Sequence, residues 1–172
     1  VDELSYFTKI YQKVEDFRFA PVKASYFFAE CISGMSLDLE TRNIQLLYQC
    51  DVGEDVEIVI DEEKLQRVAA NIEGNAVKYI QREQGMILVN VEDQGSFIQV
   101  MIRDNGKGIG KEELPFIFER FYRTDSSRNS RTGGSGLGLA IAKKIMDEHG
   151  GRIWAESELG KGTEVYFTLK KE

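Results

Sequence analysis

The sequence predicts an α+β fold: a two-layer α/β sandwich in which a mixed, mostly antiparallel sheet packs on about three helices. Three observations predict it. "EKLQRVAANIEGNAVKYI" (63–80) sets Leu65, Val68, Ile72 and Ala76 at three- and four-residue spacing, the buried stripe of a long helix. "MILVNVE" and "SFIQVMIR" alternate with period two around Asp93-Gln94-Gly95, a hairpin signal. Helices and strands then follow in mixed order with antiparallel hairpins, which disfavours a parallel doubly wound sheet.

Taken in order, residues 1–16 place Leu4, Phe7, Tyr11 and Val14 on a narrow helical stripe. Two readings compete: the first helix of this domain, or the tail of a bundled helix whose partner lies elsewhere. The second is favoured, because "FRFAPVK" follows at once and its proline reads as a strand-to-helix junction. A second helix is expected from Val22 to Gly34. "NIQLLYQC" (43–50) and "VEIVID" (56–61) read as two strands joined by a turn at Gly53. Asp61 stands at an N-cap position, with Glu62 and Glu63 in the positive first turn of the long helix. After "DNGKGIG" (104–110), residues 106–133 form a long charged segment with helical hints at 111–123, a length more often functional than merely connecting. A helix opens after "GGSG" and ends at His149-Gly150, where glycine suits a C-cap. "RIWAESE" and "TEVYFTLK" close the chain around Gly160-Lys161-Gly162.

The 172 residues suit one domain with an attached fragment of another. The net charge is −7, and its 22 Lys and Arg are interspersed among 29 Asp and Glu. That pattern argues against binding nucleic acid or an anionic membrane, and leaves room for a small basic phosphate pocket. Cys31 and Cys50 have no CxxC context and there is one histidine, so a thiolate or imidazole metal site is not expected. Two free thiols fit a reducing, cytoplasmic compartment. No apolar run reaches the roughly 18 residues of a membrane span, so no membrane contact is expected here. Starting without methionine, the chain reads as a fragment, and a membrane anchor of its parent would lie outside it.

Three stretches could carry chemistry. Asn71, Asn75, Lys78 and Tyr79 share one side of the long helix, bordering its apolar stripe. An amide oxygen suits Mg²⁺, and a lysine can meet phosphates as a point charge. A solvated polar face is the plainer reading of that pattern. "DNGKGIG" ends a strand on a carboxylate able to accept from an exocyclic amine, and its glycines let a planar ring approach. It has no βαβ surroundings, so it is not a dinucleotide fingerprint. "GGSGLGLAIAKKI" puts glycines at a helix start, where unpaired N–H groups favour an anion. A glycine-permitted helix entry explains it equally well, and no GxxxxGKS/T is present.

The order NxxxNAxKY, then DxGxGxG, then GxGLGL resembles the ATP-binding domain of bacterial sensor histidine kinases. Their wider superfamily includes type II topoisomerases and a heat-shock chaperone. "FIFERFYR" (116–123) resembles the phenylalanine-rich box of the family's lid, and "HGGRIWAESELGKGTEVYFTL" its closing hairpin. The resemblance covers roughly residues 17–170. It implies a catalytic ATP-binding domain at 17–172, with a lid at about 106–133. It also implies that residues 1–16 end the helical hairpin for phosphoacceptance and dimerisation. The cofactors implied are ATP and Mg²⁺. Asp104 would accept the adenine amino group, with Gly106 and Gly108 against the purine and Tyr79 packed by adenine or ribose. Asn75 would ligate Mg²⁺, and Lys78 and Arg123 would contact phosphates. Gly134, Ser135, Gly136, Leu137 and Gly138 would form the phosphate-facing end of the lid.

ATP-hydrolysing members of the superfamily carry a glutamate one turn before the metal-binding asparagine. Here that residue is Asn71, which can position a group but not deprotonate water. Glu73 points about 200° away from Asn75 around the helix. The resemblance therefore implies phosphoryl transfer to an external histidine, with relay to a response regulator receiver domain and a homodimer in the full-length protein. No HELRTP-like acceptor motif occurs in this chain, and His149 reads as scaffold. Two alternatives stay open: a serine/threonine kinase of the same superfamily, or a regulatory ATP-binding module without transfer. Ile80 replaces the small hydroxyl residue often found after the KY pair. Gly74 costs the helix roughly 1 kcal/mol against alanine, a cost offset if a lid or strand approaches closely there.

Overall fold

The computed structural model describes residues 2–12, 16–81, 83–123 and 136–172. The chain order is α1 (Glu3–Tyr11), β1 (Ala20–Lys23), α2 (Ala24–Thr41), β2 (Ile44–Asp51), β3 (Glu57–Ile60) and α3 (Glu62–Tyr79). There follow β4 (Gly85–Asp93), β5 (Phe97–Asp104), a 3-10 turn (Leu114–Phe116), α4 (Gly138–Glu148), β6 (Ile153–Glu158) and β7 (Gly162–Lys170). Five strands form one sheet in the order β2-β4-β5-β7-β6. The β2–β4 pair is parallel and the other three are antiparallel.

Alternation decides which face is buried. On β4, Ile87, Val89 and Val91 point into the core while Met86 is exposed and Leu88, Asn90 and Glu92 are half-buried. The inward residues join Val100, Ile102, Val165 and Phe167, and pack with Leu65, Val68 and Ile72 of α3 and Ile141 and Ile145 of α4. The layers and the mixed sheet are those the sequence predicts.

Some local expectations change. The strands β2 and β3 do not form a hairpin: β2 lies parallel to β4, and β3 pairs with β1 in a separate two-stranded sheet. The turn at Gly53 exists, with Val56 N–H on its carbonyl, but it redirects the chain between sheets. Helix α2 runs past Gly34 to Thr41, because Met35 and Leu39 continue its buried face. Around α1, Leu4 is 55% exposed, whereas Tyr6, Phe7 and Ile10 are buried. The apolar face is thus turned from the expected stripe, with Leu4 on its rim; Val14 lies outside the described residues. Gly74 has open space around it, nothing described coming within 4 Å of a Cβ placed there, so no close approach requires it.

His149 locks the C-terminal end of α4 to the N-terminal end of α3. Its Nε2 accepts the Asp61 N–H at 3.1 Å, and its Nδ1–H donates to the Ile145 carbonyl at 2.8 Å. Phe17 and Phe19 meet the ring edge-on. Asp61 in turn caps α3 through Lys64 N–H and takes the Arg18 N–H at 2.8 Å. Burial lowers the His149 pKa, so the neutral ring is favoured.

Candidate functional site

The C-terminal half of α3 presents Asn71, Asn75 and Lys78 half-buried, with Tyr79 buried beside them. These side chains recur every third or fourth residue and therefore stay on one side of the helix. Asn71 Nδ2 donates to the Gly138 carbonyl at 2.9 Å, tying α3 to the first turn of α4.

Strand β5 delivers Asp104 to the same end of the sheet, 4% exposed. Its Oδ1 accepts the Gly106 N–H at 2.8 Å. Burial pushes the carboxyl up to about 6, against the pull of the Gly106 and Thr163 N–H groups. A buried carboxyl with an elevated pKa at a strand end marks a candidate site rather than a packing element. The loop after it folds tightly onto α3: Lys107 N–H donates to the Tyr79 carbonyl at 3.1 Å. A Cβ at Gly106 would stand 2.5 Å from that carbonyl oxygen, so only glycine lets the loop approach so closely.

Cations gather opposite this wall. Burial lowers the Lys78 pKa, and the positive charges of Arg123 and Lys107 lower it further; Glu3 of α1 opposes them. Lys78 Nζ lies 5.8 Å and Lys107 Nζ 4.9 Å from the centre of the Tyr79 ring. Arg123 belongs to the base of the loop before α4, where the Phe121 N–H donates to the Gly136 carbonyl at 3.0 Å. Gly136 has φ +81°, and a Cβ there would stand 2.8 Å from the Phe121 carbonyl carbon. Leu137 is fully buried at the N-cap of α4, and Gly138 opens the helix beside Asn71.

Asn71, Lys78, Tyr79, Asp104, Gly106, Arg123 and Gly138 thus converge, with Asn75 on the same face of α3. Gly108, also at positive φ, packs against the Glu158 carbonyl at the β6–β7 turn. Gly134 and Ser135 lie outside the described residues, as do residues 124–133 of the segment (about 106–133) that the resemblance makes a lid. Sequence reasoning passed over Lys107. The available signal was a basic residue set between the two glycines that follow Asp104.

Glu73 faces away from this site, towards α2. Burial and the neighbouring Asp38 push it up to about 7, with Arg42 opposing. Helix α1 instead lies alongside the site: Arg67 Cζ sits 3.7 Å from the Tyr6 ring centre, and Phe7 and Phe121 rings are 5.8 Å apart.

Comparison with known proteins gives this geometry a context. Residues 60–172 match the family model described as histidine kinase-, DNA gyrase B-, and HSP90-like ATPase. The chain is 43% identical over 117 residues to sensor histidine kinase WalK of Bacillus subtilis (strain 168), covering 67% of this chain and 19% of WalK. It is 37% identical over 160 residues to sensor histidine kinase YkoH of the same organism, covering 84% of this chain and 35% of YkoH. It therefore spans well under half of either relative. Among solved structures, full-length ShkA in complex with AMPPNP superposes with a TM-score of 0.82 at 25% identity, covering 99% of this chain and 35% of that one. The catalytic domain of histidine kinase ThkA superposes with a TM-score of 0.75 at 27% identity, covering 90% of this chain and 96% of that one. ThkA in complex with the response regulator protein TrrA gives 0.74 at 25% identity, covering 99% of this chain and 48% of that one. With a family model matched from the end of β3 to the last residue, over the segment that holds Asn75, Lys78, Asp104 and Gly138, the chain belongs to the histidine kinase-, DNA gyrase B- and HSP90-like ATPase family.

Proposed function

We propose that this chain binds ATP with Mg²⁺ and transfers the γ-phosphoryl group to a histidine on a separate helical hairpin, for relay to a response regulator. The observation that carries this reading is the pairing of a buried acceptor, Asp104, with a cluster of cations around Tyr79. Adenine needs an acceptor for its amino group in a water-poor pocket, and a triphosphate needs several positive charges. ShkA was solved with AMPPNP, an ATP analogue, which supports the same ligand here.

In this reading Asp104 takes the adenine amino group, Gly106 and Gly108 border the purine, and Tyr79 packs by adenine or ribose. Lys78 and Arg123 hold phosphates, and Gly134, Ser135, Gly136, Leu137 and Gly138 close the lid end over them. Among the described residues no three His, Cys, Asp or Glu side chains cluster as a metal cage. A lone amide oxygen, Asn75, fits an ion that takes most of its ligands from phosphate and water. Mg²⁺, when bound, would offset phosphate charge as the γ-phosphoryl group leaves.

The unprotonated nitrogen of the acceptor imidazole attacks the γ-phosphorus with its lone pair while the bond to the β-phosphate oxygen breaks and ADP departs. The phosphorylated ring then sheds the proton of its other nitrogen to water. No residue need act as base, in keeping with Asn71 tied to the Gly138 carbonyl and Glu73 turned towards α2. His149 is held at both ring nitrogens by scaffold partners, which disfavours it as acceptor. Residues 1–16 would end the acceptor and dimerisation hairpin of a homodimeric parent. No helix among the described residues is long and apolar enough to cross a membrane; we place the domain in the cytoplasm, below any anchor of the parent.

The test uses the full-length protein. Asn75→Asp and Asp104→Asn should each cut histidine phosphorylation sharply. Unchanged transfer would refute the site, and phosphoserine or phosphothreonine as product would favour the alternative kinase class.

A further inference from the structure

The loop following Asp104 carries a cation that the family resemblance does not assign. Lys107 is held by its backbone on both sides: its N–H donates to the Tyr79 carbonyl at 3.1 Å, and its carbonyl accepts the Gly160 N–H at 2.8 Å. Its flanks are Gly106 against α3 and Gly108 against the Glu158 carbonyl. The side chain therefore leaves a fixed base, wedged between the end of α3 and the β6–β7 turn. From there Nζ reaches 4.9 Å from the centre of the Tyr79 ring, the same ring that Lys78 Nζ approaches at 5.8 Å.

We propose that Lys107 is a third cationic ligand of the nucleotide's phosphates, acting with Lys78 and Arg123 beside the Tyr79 ring. Two ammonium groups drawn to one aromatic ring repel each other, and a guanidinium adds to the repulsion. Burial lowers the Lys78 pKa first, the charges of Arg123 and Lys107 lower it further, and Glu3 of α1 offsets only part of this. A polyphosphate is the ligand class that relieves the repulsion, because several negative oxygens can spread over the three cations. Because the backbone is already pinned, binding has no loop to order and costs only the rotamer freedom of the side chain itself. This role rests on the ATP reading and adds a residue to it.

The experiment is equilibrium binding of ATP, ADP and adenosine to the 172-residue chain, its Lys107→Ala and Lys107→Arg variants, and an Asp104→Asn control. Lys107→Ala should weaken ATP and ADP by about tenfold and leave adenosine within about twofold. Lys107→Arg should recover most of the loss, and the ATP affinity of Lys107→Ala should depend less steeply on salt. Unchanged ATP affinity in Lys107→Ala overturns the inference. So does an equal loss for adenosine, which would mean that the side chain merely shapes the loop. If the unaltered chain binds none of the three, or Asp104→Asn binds them all as well as it does, the ATP reading itself fails and the inference falls with it.

Discussion

The Phe121 N–H donates to the carbonyl of Gly136 at 3.0 Å, joining the chain on the two sides of residues 124–135. Phe121 itself holds φ +62°, uncommon for an aromatic residue, and Gly136 holds φ +81°. This clasp fixes where Arg123 leaves the chain. Gly136→Ala places a Cβ 2.8 Å from the Phe121 carbonyl carbon in a left-handed backbone. Thermal unfolding should show a loss of about 1–3 kcal/mol. ATP affinity should fall with it, while the circular dichroism of the sheet and helices persists.

Gly74 should behave in the opposite way. It lies inside α3 at ordinary helical backbone, exposed, with open space where a side chain would stand. Gly74→Ala should raise stability by roughly 1 kcal/mol through the unfolded state and intrinsic helix preference. A melting curve moved downwards would show that something outside the described residues fills that space.

With Asp104 in its proposed role as acceptor of the adenine amino group, nucleotide binding should depend on pH. Burial raises its pKa to about 6, and only the ionised carboxylate accepts fully from an amine. ATP affinity should fall as the pH drops through about 6 and stay flat above it. A profile without that inflection would remove Asp104 from the adenine wall.

Glu73 and His149 make stability depend on pH with opposite signs. The Glu73 pKa is raised to about 7 by burial and Asp38, so its contribution is present below its usual range and lost as pH rises through about 7. Glu73→Gln should therefore stabilise the fold more at pH 8 than at pH 5. The His149 pKa is lowered by burial, so its contribution is present above about 6.5 and lost as pH falls below that. His149→Gln should flatten the acid side of the stability profile while lowering stability at every pH, because the ring's bonds to Asp61 and Ile145 and its contacts with Phe17 and Phe19 are lost.

Much of this was legible because local pattern and tertiary burial agree. Leu65, Val68, Ile72 and Ala76 were placed by period alone, and all four are buried. Asp61 was readable as a cap because its carboxylate accepts from Lys64 N–H one turn on. Hairpin pairing was legible, as β4–β5 and β6–β7 show, but pairing between strands far apart in the chain was not. Nothing local to "NIQLLYQC" says that β2 will lie parallel to β4, forty residues on, because that choice is made by the sheet as a whole. Leu4 was misplaced because a short stripe leaves the centre of a helix face undetermined until Tyr6 and Ile10 find their partners. The site followed the same divide. Asn71 and Asp104 could be named from their motifs, whereas the Asn71–Gly138 hydrogen bond and the position of Lys107 beside Tyr79 depend on chain folding between distant segments.

Supplying γ-labelled ATP and Mg²⁺ to this chain, alone and together with a helical hairpin carrying the proposed acceptor histidine, tests the transfer most directly. Acid-labile label is expected on a histidine of the hairpin, and none on this chain, His149 included. Label on His149, acid-stable label on a hydroxyl residue, or inorganic phosphate released equally fast without the hairpin would contradict the proposed transfer.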